Sequence, residues 1–248
     1  EITDLYNQGR VIDLVQGNGF AKQGYPARAL FSIPFVGINE KGNPVCINEK
    51  GQATVGDLNF QERNNTDYLI YEGSTDPIYN GSLGNTFNYK GFHLNLFLTY
   101  AFGNVVRLDP VFKAKYNDLT SMNHDFKNRW MQPGDENVTN VPGVVSRYEY
   151  EQNSTLLATA YNAYNYTSVR TAKGDFIRLK EISLAYDFPH RWFEKSPVNN
   201  ISLKLQATNL MLLYADKKLN GQDPEFMNAG GVASPMPKQF TLTLKLGL

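Results

Sequence analysis

From Phe92 to Phe102 the chain alternates without a fault. Phe92, Leu94, Leu96, Leu98, Tyr100 and Phe102 fall on one phase, and His93, Asn95, Phe97, Thr99 and Ala101 on the other. Successive side chains of a strand point to opposite faces, so this pattern predicts a strand with one apolar and one mostly polar face. Lys90-Gly91 supplies a tight turn before it, and Ser82–Tyr89, with Leu83, Phe87 and Tyr89 on one face, makes the other arm of a hairpin. The same period of two recurs three times. Ile182, Leu184, Tyr186 and Phe188 alternate with Glu181, Ser183, Ala185 and Asp187. Ile201, Leu203, Leu205 and Ala207 alternate with Ser202, Lys204, Gln206 and Thr208. Phe240, Leu242, Leu244, Leu246 and Leu248 alternate with Thr241, Thr243, Lys245 and Gly247. Ala27–Ile38 is strand-like too, with Phe31, Ile33 and Phe35 in phase; Pro34 cannot donate a ladder hydrogen bond and predicts a bulge there. The pattern predicts about six strands.

The intervening segments are long. Residues 1–26 are polar and glycine-rich (Gly19 among them) and read as a connection with a short strand. Asn39–Asn80 reads as a loop with extended pieces at Val45–Ile47 and Tyr68–Tyr71. Asn104–Lys173 is a long insertion in which Phe112, Tyr116, Leu119 and Met122/Asn123 suggest a helix within Lys113–Trp130, closed by turn chemistry at Met131-Gln132-Pro133-Gly134-Asp135. His190–Asn199 is a short connection with one helical turn at Arg191–Glu194, and Met211–Pro237 is another long loop. Counting strands, the Lys90-Gly91 turn, 190–199 and the C-terminus fall at one end of the sheet. The long segments 39–80, 104–173 and 211–237 fall at the other. Compact soluble domains rarely carry loops of that length, whereas outer-membrane barrels pair short periplasmic turns with long external loops.

The 92–102 run has the length a tilted strand needs to cross a bilayer, roughly 9–11 residues. Its apolar face is aromatic at both ends and leucine between, the distribution of a membrane barrel with aromatic girdles. The fold class expected is therefore all-β, a transmembrane antiparallel β-barrel segment with long extracellular loops. A soluble, carbohydrate-binding β-sandwich is the competing reading. In 174–189 the apolar band, Ile182–Phe188, is short of a full crossing, so Asp175–Lys180 is expected to rise above the bilayer. Arg178 and Lys180 then fall on the lipid-facing phase, where they could pair with lipopolysaccharide phosphates. Composition fits: charged residues make up 19% of the chain, against roughly 25% in soluble domains. No apolar run reaches the roughly 18 residues of a transmembrane helix, which says nothing against strands. A formal net charge of +0 argues against a nucleic-acid partner. The single cysteine, Cys46, reads as a structural free thiol. Six strands do not close a useful barrel, so the remaining strands, and any targeting segment, are expected before Glu1.

Candidate chemistry is sparse. His93, His124 and His190 are not at metal-ligand spacing; His93 falls on the inward, polar phase. Asp216, Asn220, Gly221, Asp223 and Glu225 hint at a calcium loop, but the twelfth position from Asp216 is Met227 instead of the glutamate an EF-hand needs. There is no phosphate loop, nucleophile elbow or zinc-protease motif, and neither an enzyme nor a cofactor is expected. The best ligand candidates are the aromatics of the long insertion: Trp130, Tyr148, Tyr150, Tyr161 and Tyr164, with Tyr166. Such rings can stack on sugar or peptide while the hydroxyl hydrogen-bonds, or can pack the loops together.

Several stretches resemble the C-terminal end of SusC/RagA-type TonB-dependent outer-membrane transporters of the Bacteroidota. They are Glu1-Ile2-Thr3-Asp4-Leu5 with Gly24-Tyr25-Pro26, and Asn85-Thr86-Phe87-Asn88-Tyr89-Lys90-Gly91-Phe92. Asn128-Arg129-Trp130 with Pro133-Gly134-Asp135 follows, then Gly174–Pro189, Asn209-Leu210 and Asp223-Pro224-Glu225. The last residue departs from the family, being Leu248 where an aromatic is usual. The resemblance implies that residues 1–248 are the last six or so strands of a plugged 22-stranded barrel. It also implies active import of a glycan or peptide, a SusD-like surface lipoprotein as partner, and energy from TonB–ExbB–ExbD acting through a plug outside this chain. The loops would be extracellular and the C-terminus periplasmic. A passive porin-like or structural barrel is the alternative function.

Overall fold

A computed structural model describes residues 1–5, 7–17, 21–117, 122–227 and 236–247. Leu119, Gly19 and Leu248, named above, lie outside the described residues. In chain order the elements are helix α1 (Val11–Gln16), strands β1 (Ala29–Ser32), β2 (Phe35–Ile38), β3 (Pro44–Ile47), β4 (Ala53–Thr54) and β5 (Ile70–Ser74). There follow β6 (Tyr79–Tyr89), β7 (Phe92–Phe102), β8 (Val105–Arg107), helices α2 (Arg147–Gln152) and α3 (Ser154–Asn165), β9 (Thr171–Lys173), β10 (Phe176–Asp187), β11 (Asn200–Ala215) and β12 (Gln239–Gly247). They divide into two units, Glu1–Asp76 with Asn104–Lys173, and Pro77–Gly103 with Gly174–Leu248.

The second unit is one antiparallel sheet in the order β12-β11-β10-β7-β6. Its register turns the sequence alternation into rungs five strands wide. Phe87, Leu94, Leu184, Leu205 and Leu242 pair in succession across the sheet, and Tyr89, Phe92, Tyr186, Leu203 and Leu244 form the next rung. Between them lie polar rungs on the opposite face, such as Thr86, Asn95, Ser183, Gln206 and Thr241. Most side chains of the apolar rungs are exposed, Leu205 at 54%, with Leu94 and Tyr186 half-buried. Aromatic side chains bound the apolar face at each end: Tyr89, Phe92 and Tyr186 at one, Tyr79, Tyr100, Phe102 and Tyr214 at the other. From Phe92 to Phe102 a strand rises about 33 Å, which at a tilt of about 40° covers about 25 Å, the height of a barrel's apolar band.

The sheet corrects the reading of 174–189. Lys180 is an extra residue: Leu179 pairs with Leu98, and the next pair is Glu181 with Phe97. On the other side Leu179 pairs with Met211 and Glu181 with Thr208, which leaves Asn209 and Leu210 opposite Lys180, with Asn209 at φ 54°. A bulge advances the phase by one residue. Ile177 and Leu179 therefore join Tyr100 and Leu98 on the apolar face. The apolar face of β10 runs from Ile177 to Tyr186, a full crossing, and does not begin at Ile182. Arg178, opposite Thr99 and Leu212, lies on the polar face and is buried; it does not face lipid.

A second correction concerns the strand count. The sheet has five strands, and Ala27–Ile38 is not among them. Pro34 splits that segment into β1, which pairs with β5, and β2, which pairs with β3 and through it β4. All four residues of β1 are buried, so it has no solvent- or lipid-facing side.

The first unit is built on a compact core. Helix α1, in the stretch expected to be a connection, buries Val11, Leu14 and Val15 against Phe31, Ile33, Cys46 and Ala163. Its start is fixed by Asp13, whose carboxylate accepts from the Arg10 amide at 3.1 Å and from the Arg10 guanidinium at 2.8 Å. Helix α3 buries Leu157, Ala160, Tyr161 and Tyr164, the i, i+3, i+4, i+7 stripe of an amphipathic helix. No α-helix occurs among the described residues of 113–130, where a 3-10 turn spans His124–Asn128. A 3-10 turn at His190–Trp192 matches the helical turn expected near Arg191.

Candidate functional site

Among the insertion aromatics the structure separates packing residues from accessible ones. Tyr161 and Tyr164 are buried on α3. The Tyr161 hydroxyl donates to the Gly143 carbonyl at 2.6 Å, and the Tyr164 ring lies edge-on to Phe35 and Phe112. Burial pushes both phenols above the usual tyrosine range. Tyr166 belongs to the core around α1 and faces the Arg107 guanidinium at 6.0 Å. These rings have no free face for a ligand. Arg107 is held by the carbonyls of Thr167 and Phe31 and by Ser32 Oγ, and burial lowers its pKa to about 10.

Trp130 is half-buried. Its indole N–H donates to Glu136 Oε2 at 3.0 Å and holds that carboxyl below the usual range. The ring sits where a Cβ at Gly42, a residue at φ +79°, would collide with it. Trp130 thus clamps the Gly42 turn, the Gly143 backbone and the 132–136 turn together, with the Gly143 amide donating to the Gly42 carbonyl at 2.9 Å. Tyr150 is partly buried under Lys115, whose Nζ lies 5.8 Å from the ring centre. Tyr148 is 76% exposed on α2. Of the five candidates it alone offers a whole ring to solvent.

The polar face of the sheet holds two further constellations. His93 is on this face, as the alternation placed it, with Nδ1 2.6 Å from Asn88 Oδ1 and Nε2 2.9 Å from Asp187 Oδ2. At the opposite end Arg178 Nη2 contacts both carboxylate oxygens of Asp223, at 2.5 and 2.6 Å, and Glu225 Oε2 at 3.3 Å. Arg178 and Asp223 are 3% and 0% exposed. This cluster accounts for two of the acids read as a calcium loop; a third, Asp216, caps the turn at Lys217–Leu219 by accepting from the Lys218 amide at 3.0 Å. Among the described residues no group of three or more histidine, cysteine or acidic side chains is placed to hold a metal. The sequence did carry a signal for the ion pair: Arg178 and Asp223 lie in two of the stretches that resemble the family.

No protein-family model matches the chain. TonB-dependent receptor P39 of Formosa agariphila is 26% identical over 192 residues, which cover 73% of this chain and 17% of that protein. The RagAB peptide importer in its open-open state superposes with a TM-score of 0.64 at 20% identity, over 100% of this chain and 25% of the other. The RagAB peptide transporter gives 0.61 at 19% identity, over 91% and 23%. The chain therefore spans a quarter or less of the length of the relatives it matches. The resemblance to SusC/RagA-type TonB-dependent receptors is borne out, and the fold is that of a portion of their barrel.

Proposed function

We propose that this chain, which has the fold of part of a SusC/RagA-type TonB-dependent receptor, forms the C-terminal wall of an outer-membrane barrel that imports a glycan or peptide. The observation that carries the reading is the five-strand sheet, whose apolar rungs are exposed on one face and whose polar rungs lie on the other. Lipid suits the first face and a hydrated lumen the second. Two of its strands, β6 and β12, have no partner on their outer edges among the described residues. Long unpaired edges are normally paired or covered, and further strands of the same barrel would do so. Positions 77, 103 and 174, where the chain passes between the two units, all lie at one end of the sheet. That end would be extracellular and the Lys90-Gly91 end periplasmic, with the aromatic girdles at the two lipid interfaces.

The first unit, residues 1–76 and 104–173, would serve as the external loop structure, working with a SusD-like lipoprotein to capture substrate, and transport would draw on TonB–ExbB–ExbD. Tyr148 is the ring best exposed for stacking on a ligand, and Trp130 and Tyr150 are half-buried. The role is transport and not catalysis. The test is uptake of labelled oligosaccharides and oligopeptides by cells with and without TonB. Uptake abolished by loss of TonB supports active import; uptake that survives it would replace this reading with a passive channel. Tyr148→Ala is expected to weaken substrate binding several-fold, and unchanged affinity would remove Tyr148 from the site.

A further inference from the structure

We propose that residues 216–227 form a strap laid against the inner face of the barrel wall, and that Arg178 is the positioning residue that holds it there. The strap then narrows the mouth of the route and sets the upper size of what passes. This rests on the transport reading above.

The segment leaves the sheet at Ala215, which pairs with Phe176, and could extend away from the strands. Instead it returns to them. Arg178 lies opposite Thr99, whose neighbours Leu98 and Tyr100 face the apolar side, so Arg178 projects from the polar face. There it meets the Asp223 carboxylate through Nη2, with Glu225 alongside. The cation also lies 5.5 Å from the ring of Phe176, which is itself buried. The strap has its own local order: Asp216 caps the turn at Lys217–Leu219, and Asp223 Oδ1 accepts from the Glu225 amide at 3.1 Å to cap Pro224–Phe226. Leu219 and Met227 are buried, so the strap packs as well as pairs.

The position of the ion pair explains its strength as an anchor. A carboxylate with no exposure is tolerable only beside its cation, and removing one partner strands an uncompensated buried charge. The bulge at Lys180 is what makes this possible. Without the phase change Arg178 would point to the apolar side and the strap would have nothing to grip.

The experiment uses the full-length receptor in its native outer membrane. A nitroxide on Lys217→Cys reports the strap, and Cys46, being buried, does not compete for label. The expected spectrum is immobilised in the parent and mobile in Asp223→Ala. Uptake of graded fluorescein-labelled oligopeptides and oligosaccharides is measured alongside. Asp223→Ala is expected to raise entry of the longest members several-fold and leave the shortest unchanged, a shift in size limit that a merely structural role would not produce. A label as immobile in Asp223→Ala as in the parent, or a released strap with an unchanged size limit, overturns the proposal. Should Asp223→Ala fail to fold, as judged by heat-modifiable gel migration, Asp223→Asn keeps the volume and is scored by the same criteria. Parent uptake that persists without TonB would defeat the transport reading, while the spin label would still decide whether the strap is pinned.

Discussion

Arginine placed along β7 should trace a depth profile. Leu96 sits mid-strand on the apolar face, paired with Asn85 and Ile182, with one leucine rung, Leu94 or Leu98, between it and each aromatic belt. An arginine there must reach water past that band. At the midplane of a barrel's lipid face the cost is about 2–4 kcal/mol, falling to about 0–1 kcal/mol near the interfaces. At about 1.4 kcal/mol per decade, Leu96→Arg should lower the folding equilibrium constant roughly 30- to 700-fold. Tyr100→Arg, one belt up, should change it less than about tenfold. Asn95→Arg, next in sequence but on the polar face, should be closer to neutral. The assay is reversible denaturant unfolding of the full-length protein in lipid vesicles, followed by tryptophan fluorescence. A flat profile across Phe92, Leu94, Leu96, Leu98 and Tyr100, or a larger penalty at Asn95 than at Leu96, would refute the assignment of faces.

Further outcomes follow from the first unit, residues 1–76 and 104–173. Tyr161→Phe removes the donor to the buried Gly143 carbonyl and should cost about 1–3 kcal/mol, read from the unfolding of that unit. Gly42→Ala puts a methyl group against the Trp130 ring at a left-handed φ; a shifted Trp130 emission and faster proteolysis of 132–141 are expected, and an unchanged emission would argue against the clamp. Trp130→Phe removes the indole N–H that depresses the Glu136 carboxyl, so Glu136 should titrate at higher pH, as NMR of its side chain would show. The clamp's electrostatic part is present above the ordinary glutamate pKa of 4.5 and is lost as pH falls through the lower folded value. Burial pushes the Cys46 thiol up to about 12. It should therefore resist maleimide until the unit unfolds. Because the unfolded thiol ionises first, this unit should lose stability as pH rises above 9 toward 12.

The barrel wall was legible because alternation is a local property. In β7 and β12 every rung follows from the parity of the residue number, and so does the position of His93 on the polar face. Parity fails where a strand inserts a residue. Nothing in Leu179-Lys180-Glu181 marks a bulge, so parity alone assigns Arg178 to the apolar phase and conceals its ion pair with Asp223. The insertion misled for a different reason. Leu157, Ala160, Tyr161 and Tyr164 show a helical stripe, but tyrosines in a long loop invite a reading as display. Their spacing, taken ahead of their chemistry, identifies α3 and removes Tyr161 and Tyr164 from the ligand candidates. The alternation in Ala27–Ile38 does mark extended chain, but its two halves pair within residues 29–74 of the first unit, and local pattern carries no information about which sheet a strand joins.

The most direct test is a cysteine scan of β7 and β10 in the full-length protein in its membrane, with nitroxide accessibility to oxygen in lipid and to a water-soluble nickel chelate. Oxygen should reach positions 94, 96 and 98, and the chelate 95 and 99. In β10 the oxygen-accessible positions should be 177 and 179 and then, across Lys180, 182 and 184. An unbroken even-numbered phase through 180, or low accessibility to both reagents on the Leu94–Leu184–Leu205 face, would contradict a membrane wall with its phase reset at the bulge.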